Sequence, residues 1–458
     1  MSKPSLFTVG SLFTTMATAA YLTIGILSDD RRMFLPGATT HGHYQIELSC
    51  DACHTSFSGV AHEACIRCHG EELERAQDTH PESKFTDPRN AELTERIDAT
   101  RCVTCHEEHV PERTTSMAVS VALDFCFHCH ATIGEERPSH VAYDFHGCRS
   151  TGCHNFHDNT ALYEEFLEKH LDEPDLLADP VVPALGAGRS AAELGSPAVP
   201  AALRATDADA PGDTVAAGDL LAAWEGSAHA RAGVNCSGCH AGAETELEEA
   251  RWTNRPDHDV CGACHEAELK GYLAGRHGMR LALELEAMRP SLARLPMHES
   301  AHHLELGCTS CHGAHSFDTR RAAIEACLGC HRDAHSLAYR DSPHHELWKE
   351  ELAGAGRSGS GVSCATCHLP RIERKEGGTL HISVEHNQND NLRPSEKMLR
   401  TVCTRCHGVG FSIDALADQE LVRNNFRGRP GVHVESLDLV RRRAERAGAT
   451  EQQEAKSP

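Results

Sequence analysis

Eleven times in this chain, two cysteines are followed at once by a histidine. The segments are Cys50/Cys53/His54, Cys65/Cys68/His69, Cys102/Cys105/His106, Cys126/Cys129/His130, Cys148/Cys153/His154, Cys236/Cys239/His240, Cys261/Cys264/His265, Cys308/Cys311/His312, Cys327/Cys330/His331, Cys364/Cys367/His368 and Cys403/Cys406/His407. Ten have two residues between the cysteines; the fifth has four. All 22 cysteines fall inside these segments. A disulfide framework would not require a histidine after each pair. Structural zinc joins one C-x-x-C to a second pair or to spaced histidines, and does not need His at the next position. A thioredoxin-type motif occurs once, on a βαβ frame.

C-x-x-C-H is the attachment signature of haem c. Two thiols form thioethers to the porphyrin, and the histidine ligates the iron from one face. The pattern implies eleven covalent haem c groups, with the eleven histidines above as first axial ligands. The longer fifth segment is supported by its place in the series and by the nearby His157.

Phe, Trp and Tyr number 13, 3 and 6, and hydrophobic residues are 40% of the chain, below the roughly 45–50% of ordinary domains. Porphyrins would supply the missing apolar mass. The expected fold is mainly α with much irregular coil, packed around haems, and largely unfolded before they are attached. Helices are expected at 63–75, 161–170, 266–277, 320–327 and 345–352, with 414–426 also able to form one. No segment reads as a strand.

The net charge is −23. Nucleic acid and anionic membrane surfaces are then poor partners. Redox proteins with basic docking patches suit it, though plain solubility explains the charge as well. Haem attachment of this type occurs outside the cytoplasm, and Lys3 followed by the uncharged run 6–27 fits an export segment. At 1.5 Å per residue that run reaches about 33 Å, enough to span a bilayer. The expectation is a retained N-terminal transmembrane helix on an extracytoplasmic, periplasmic-side protein. Cleavage near Ala17-Thr18-Ala19, giving a soluble periplasmic protein, is the lesser alternative.

Five segments lie between 50 and 154 and six between 236 and 407. Between them, 171–220 holds no Cys, His or aromatic residue, six prolines, and nine acids against two bases. That is a linker composition. The expected domains are an anchor (1–30), a pentahaem module (31–170), an acidic Pro/Ala-rich linker (171–220), a hexahaem module (221–410) and a helical or frayed tail (411–458). The part 436–456 shows no apolar face. A long insertion within one module is the alternative to the linker.

Of 34 histidines, the eleven in the segments leave 23 for the second face of each iron. His106/His109, His154/His157 and His312/His315 are three apart; His331/His335 are four apart. Such residues share a helix face and cannot flank one haem plane, so the second should ligate a neighbouring haem. The favoured second ligands are His43, His80, His109, His140 and His157, then His229, His277, His315, His335, His344 and His386. Competitors are His41, His62, His128, His146, His170, His258, His298, His302, His303, His345 and His381. Met117, Met279, Met297 and Met398 would raise the potential if they ligated.

Gly361-Val362-Ser363-Cys364-Ala365-Thr366-Cys367-His368-Leu369-Pro370, Trp224-Glu225-Gly226-Ser227-Ala228-His229 and Asp341-Ser342-Pro343-His344-His345 resemble haem segments of the hydroxylamine oxidoreductase and pentahaem nitrite reductase superfamily. The likeness covers about 220–410. Residues 30–170, with Gln45-Ile46-Glu47-Leu48-Ser49-Cys50 and the C-H-x-x-H spacing, resemble membrane-anchored cytochromes of the c3 or quinol-dehydrogenase type. The first resemblance implies an open catalytic haem at Cys261/Cys264/His265. The lysine of the nitrite reductases is absent there, because His265 takes its place, and no spacing marks Tyr272 or Tyr339 as a crosslinked tyrosine. The leading expectation is an undecahaem electron carrier of a respiratory chain. The alternative is a reductase or oxidase of a small nitrogen or sulfur compound at that haem. Partner proteins, and a quinol as a further candidate, would exchange electrons with it.

Overall fold

Each described cysteine-pair segment folds as about one helical turn. The spacing explains this, since cysteines three apart lie on one helix face with the histidine just beyond. The histidine N–H closes the turn on the first cysteine's carbonyl: His106 on Cys102, His130 on Cys126, His240 on Cys236, His265 on Cys261, His331 on Cys327 and His407 on Cys403, all at 2.8–2.9 Å. The computed structural model describes residues 6–27, 31–55, 58–76, 80, 82–95, 97–122, 125–136, 156–158, 164–178, 182–183, 201–212, 218–241, 252–376, 379–392, 395 and 397–454.

The longer helices have local causes. His62–Ala76 carries Glu63 in its first turn and Arg75 in its last, both favourable to the helix dipole. Pro343–Leu352 begins with proline, and the Ser342 hydroxyl caps it by accepting from His345 N–H. Asp333 caps Ala334–Ala338, and Ser227 caps Ala228–Arg231. Glu164–Lys169 and Glu266–Ala274 are further helices. The expected stretch 320–327 is two short helices, Thr319–Ala323 and Glu325–Cys330, and 414–426 falls across Val409–Ala417 and Gln419–Arg423. The described chain is mainly helical with much coil.

Three expectations need correction. Among the described residues no helix is long and apolar enough to cross a membrane. Leu6–Leu27 is helical, and hydroxyls along it turn back on its own backbone. Those of Thr14 and Thr15 bond back to Ser11 O and that of Thr23 to Ala19 O. The chain also has strands. Arg371–Glu376 pairs antiparallel with Thr379–Val384, in a register that sets Glu376 opposite Thr379. A two-residue pairing joins His54–Thr55 to Gly59–Val60. Finally, the helix Ser436–Glu454 does have an apolar corner. Leu437 and Val440 join Leu167, Leu399, Val409 and Ile413 in one buried cluster.

The chain divides into two units. The first comprises Met1–Glu71 and His80–Ala131; the second comprises Glu72–Thr79 and Thr132–Pro458. In the second, described pieces of 171–220 are bonded into place. Leu177 N–H donates to Cys406 O, and the Arg371 guanidinium to Pro183 O. Ser237 N–H and Oγ both donate to Asp209.

Candidate haem sites

In nine places an imidazole from a cysteine-pair segment faces a second imidazole. In the first unit the pairs are His54 with His109, centroids 6.4 Å apart, His69 with His43 at 6.0 Å, and His130 with His80 at 6.1 Å. In the second they are His240 with His315 at 5.9 Å, His265 with His229 at 6.0 Å, and His312 with His386 at 6.3 Å. His331 with His277 at 6.3 Å, His368 with His335 at 6.1 Å, and His407 with His344 at 6.4 Å complete it. Metal–imidazole bonds of about 2.0 Å, with each ring centre about 1 Å further back, set two rings on opposite sides of one ion about 6 Å apart.

The protons on these rings are assigned by their partners. Nδ1 donates to a backbone carbonyl in His109 (Gly37 O, 2.8 Å), His240 (Thr253 O, 2.7 Å), His335 (Val422 O, 2.5 Å), His386 (Val384 O, 2.9 Å) and His407 (Asp175 O, 2.9 Å). A carbonyl only accepts, so Nδ1 carries the hydrogen and Nε2 keeps its lone pair. In His43 the Nδ1 partner is a carboxylate, Glu108 Oε1 at 2.6 Å. Burial, helped by neighbouring imidazoles, pushes His277, His344 and His368 down to about 4, which keeps them neutral as a ligand must be. Burial lowers His229, His312, His315, His331 and His407 as well.

Backbone strain accompanies the pairing. His109 and His315, each the second histidine of a C-H-x-x-H run, have φ of 64° and 66°. The left-handed region costs a non-glycine residue about 1–2 kcal/mol. There each ring faces another segment's histidine, His54 or His240, rather than that of its own segment. Asn425 and Phe426 are also left-handed, at 57° and 59°. The Asn425 side-chain amide donates to His335 O and meets His335 Nε2 at 3.2 Å, and the Phe426 ring lies 6.2 Å from His335 and 5.9 Å from His344.

The donor set fits haem better than a bare ion. Among the described residues no group of three or more His, Cys, Asp or Glu could hold a metal ion. Donors come as opposed pairs, which suits an iron whose remaining four positions a planar macrocycle fills. First cysteines of different segments lie close together: Cys65 by Cys102, Cys261 by Cys308, and Cys327 by Cys364.

None of the twenty described cysteines is in a disulfide. Two of the second cysteines, Cys68 and Cys264, are exposed, whereas Cys129 is half-buried. A thiol that bonds a porphyrin has to meet the macrocycle rather than the protein core, so this exposure departs from a packed site without opposing attachment. Their backbones are nonetheless fixed. Cys129 and Cys264 N–H donate to Cys126 O and Cys261 O, both at 3.2 Å, and Cys68 sits within the helix His62–Ala76.

Nine of the eleven favoured second histidines thus stand opposite a segment histidine. His140, with Cys148, Cys153 and His154, lies outside the described residues, as does the competitor His146. His157 packs on Phe156 at 5.0 Å, and His106 bonds Ala118 O at 3.2 Å. Competitors have other partners: His62 meets Cys102 Sγ, His170 bonds Glu173, and His345 donates to Arg340 O. At His265, the residue of the expected open haem, His229 stands across. Tyr272 donates instead to His277 O, and Tyr339 to Val362 O. Met398 is buried, and Met297 forms a backbone bridge with His331. Sequence reasoning missed Glu108, Asn425 and Phe426. Glu108 lies inside the run His106-Glu107-Glu108-His109, the one signal that could have drawn attention to it.

Residues 42–131 match the family model for cytochrome c3. The match spans the segments from Cys50 to His130, so this part of the chain is similar to cytochrome c3, which supports a multihaem electron-transfer cytochrome with covalently bound haem c. No curated protein and no solved structure matches the chain. The resemblance of 220–410 to the hydroxylamine oxidoreductase and nitrite reductase superfamily has no support among these comparisons.

Proposed function

We propose that the chain is an extracytoplasmic undecahaem c-type cytochrome that relays electrons between redox proteins. One observation carries the reading: the nine opposed histidine pairs, each including the histidine that directly follows a cysteine pair. Haem c held there supplies an iron that alternates between ferrous and ferric states. The protein's part would be to hold the iron between the two imidazoles of each pair, keep them neutral and in one tautomer, and exclude other ligands.

The segments also succeed one another closely. Cys53 lies near Cys65 and Cys68, and Cys65 near Cys102. In the second unit Cys239 neighbours Cys261 and Cys264, Cys311 neighbours Cys327, and Cys367 neighbours Cys403. With the close approach of Cys261 to Cys308 and of Cys327 to Cys364, this links the segments from 236 to 406 in series, a layout suited to conduction rather than to one isolated reaction centre. The charge of −23 favours partners with basic docking faces.

Haem counting by pyridine haemochrome, with electron paramagnetic resonance of the oxidised protein, tests the reading. Eleven haems per chain and only low-spin signals are expected. A high-spin signal perturbed by nitrite or hydroxylamine would replace the relay with a reaction at an open haem.

A further inference from the structure

Residues 105–109, Cys105-His106-Glu107-Glu108-His109, touch three candidate sites of the first unit. His106 belongs to its own segment. His109 faces His54. Glu108 reaches His43, which faces His69. The Glu108 carboxylate is held from two directions, since Oε2 accepts Thr40 N–H at 2.6 Å and Oε1 accepts the Thr40 hydroxyl at 2.8 Å.

The second histidines differ in what their Nδ1 meets. His109, His335 and His386 donate to neutral backbone carbonyls. His229 and His315 have a buried Nδ1 with no hydrogen-bond partner. His43 has a carboxylate. A carboxylate draws the Nδ1 proton toward itself and makes Nε2 a stronger donor. A stronger donor, with a fixed negative charge beside it, favours the more highly charged ferric ion.

We propose that Glu108 is a positioning residue that sets His43 as an electron-rich ligand, so that the His43/His69 haem has a lower potential than those ligated by His109, His335, His386, His229 or His315. The proposal rests on the reading of these histidines as haem ligands. Its test keeps the two apart, because haem count and spin state check the ligation whereas the potential checks Glu108.

The haem-loaded full chain and its E108Q and E108D variants are titrated spectroelectrochemically. Both variants should hold as many haems as the parent, all low-spin. In E108Q one haem should become easier to reduce by at least about tenfold in its equilibrium, a rise of about 59 mV for one electron, with one low-spin signal changing its g-values. E108D keeps the charge but draws it back by one methylene, so its shift should have the same sign and be smaller. If E108Q fails to load haem, E108D alone decides. Unchanged potentials and g-values in the variants that load would overturn the role of Glu108. High-spin signals in the parent at this site would overturn the ligation itself.

Discussion

His109 faces His54 with the two rings 6.4 Å apart and their planes inclined by only 26°, although His109 follows His106 by three residues. The left-handed backbone at His109 and the bond from its Nδ1 to Gly37 O hold it there. Replacing His109 with alanine should leave the thioethers at Cys50 and Cys53 intact and remove one axial ligand. One haem should turn high-spin in electron paramagnetic resonance, and the others should stay low-spin. An unaltered low-spin spectrum would remove His109 from the ligand set.

Asn425 concentrates strain and bonding at one place. It is buried and left-handed, and its amide contacts His335. N425A should destabilise the second unit by about 1–3 kcal/mol through the lost hydrogen bond to His335 O. N425G loses the same bond but relaxes the backbone, so it should be the more stable of the two by about 1 kcal/mol. Thermal unfolding of both variants measures the gap. Equal stabilities would mean that the left-handed turn carries no strain.

What could be read from the sequence was local. The turn at each cysteine pair, the mainly helical character and the cytochrome character of 42–131 follow from spacing and thiol chemistry. The reading failed where tertiary context decides. Arg371–Glu376 has one apolar side chain in six, so no alternation showed, although the glycines at 377 and 378 were a hairpin signal that went unused. Leu437 and Val440 are a single turn of apolar surface on an otherwise polar helix, too little for a stripe. The run 6–27 is uncharged and mostly apolar, yet among the described residues no helix is long and apolar enough to cross a membrane. The acidic composition of 171–220 could not show that the Asp175 carbonyl accepts from His407, because any residue supplies a carbonyl.

Val440 and Leu437 make the buried corner by which Ser436–Glu454 docks on Glu164–Lys169. L437A should cost about 2–5 kcal/mol of that docking, because the cluster has six buried members and little capacity to close the gap. Limited proteolysis should then cut within 436–454 well before the rest of the second unit. Parent-like resistance would mean that the helix is held by its charged face instead.

The same helix is tied by His433, whose Nδ1 meets Asp414 at 3.1 Å and whose Nε2 meets Asp438 at 2.8 Å. Hydrogen bonds to Asp438 and Asp414 raise His433 to about 9. A raised pKa means stability fully present below the unfolded value near 6.5 and lost as pH climbs through about 9. The melting temperature should therefore fall between pH 7 and 10 by more in the parent than in H433Q. Parallel pH profiles for the two proteins would assign the tie to other groups, Arg441 with Asp438 and Asp172 among them.

The largest effect should come from withholding haem. The apolar cluster of the second unit has six buried side chains, and full burial of an aliphatic side chain is worth only about 1.5–3 kcal/mol. Ordering the backbone costs about 1–2 kcal/mol for every residue fixed. Trp224, Met288, Ile324, Tyr339 and Leu421 are buried as well, but together these are few for hundreds of residues, and on the proposed reading the macrocycles supply most of the apolar contact. Chain made without haem attachment should show weak helical circular dichroism and no cooperative melting transition, and should be rapidly digested. A cooperative transition in haem-free protein would show that the polypeptide packs by itself, and that haem enters a fold already formed.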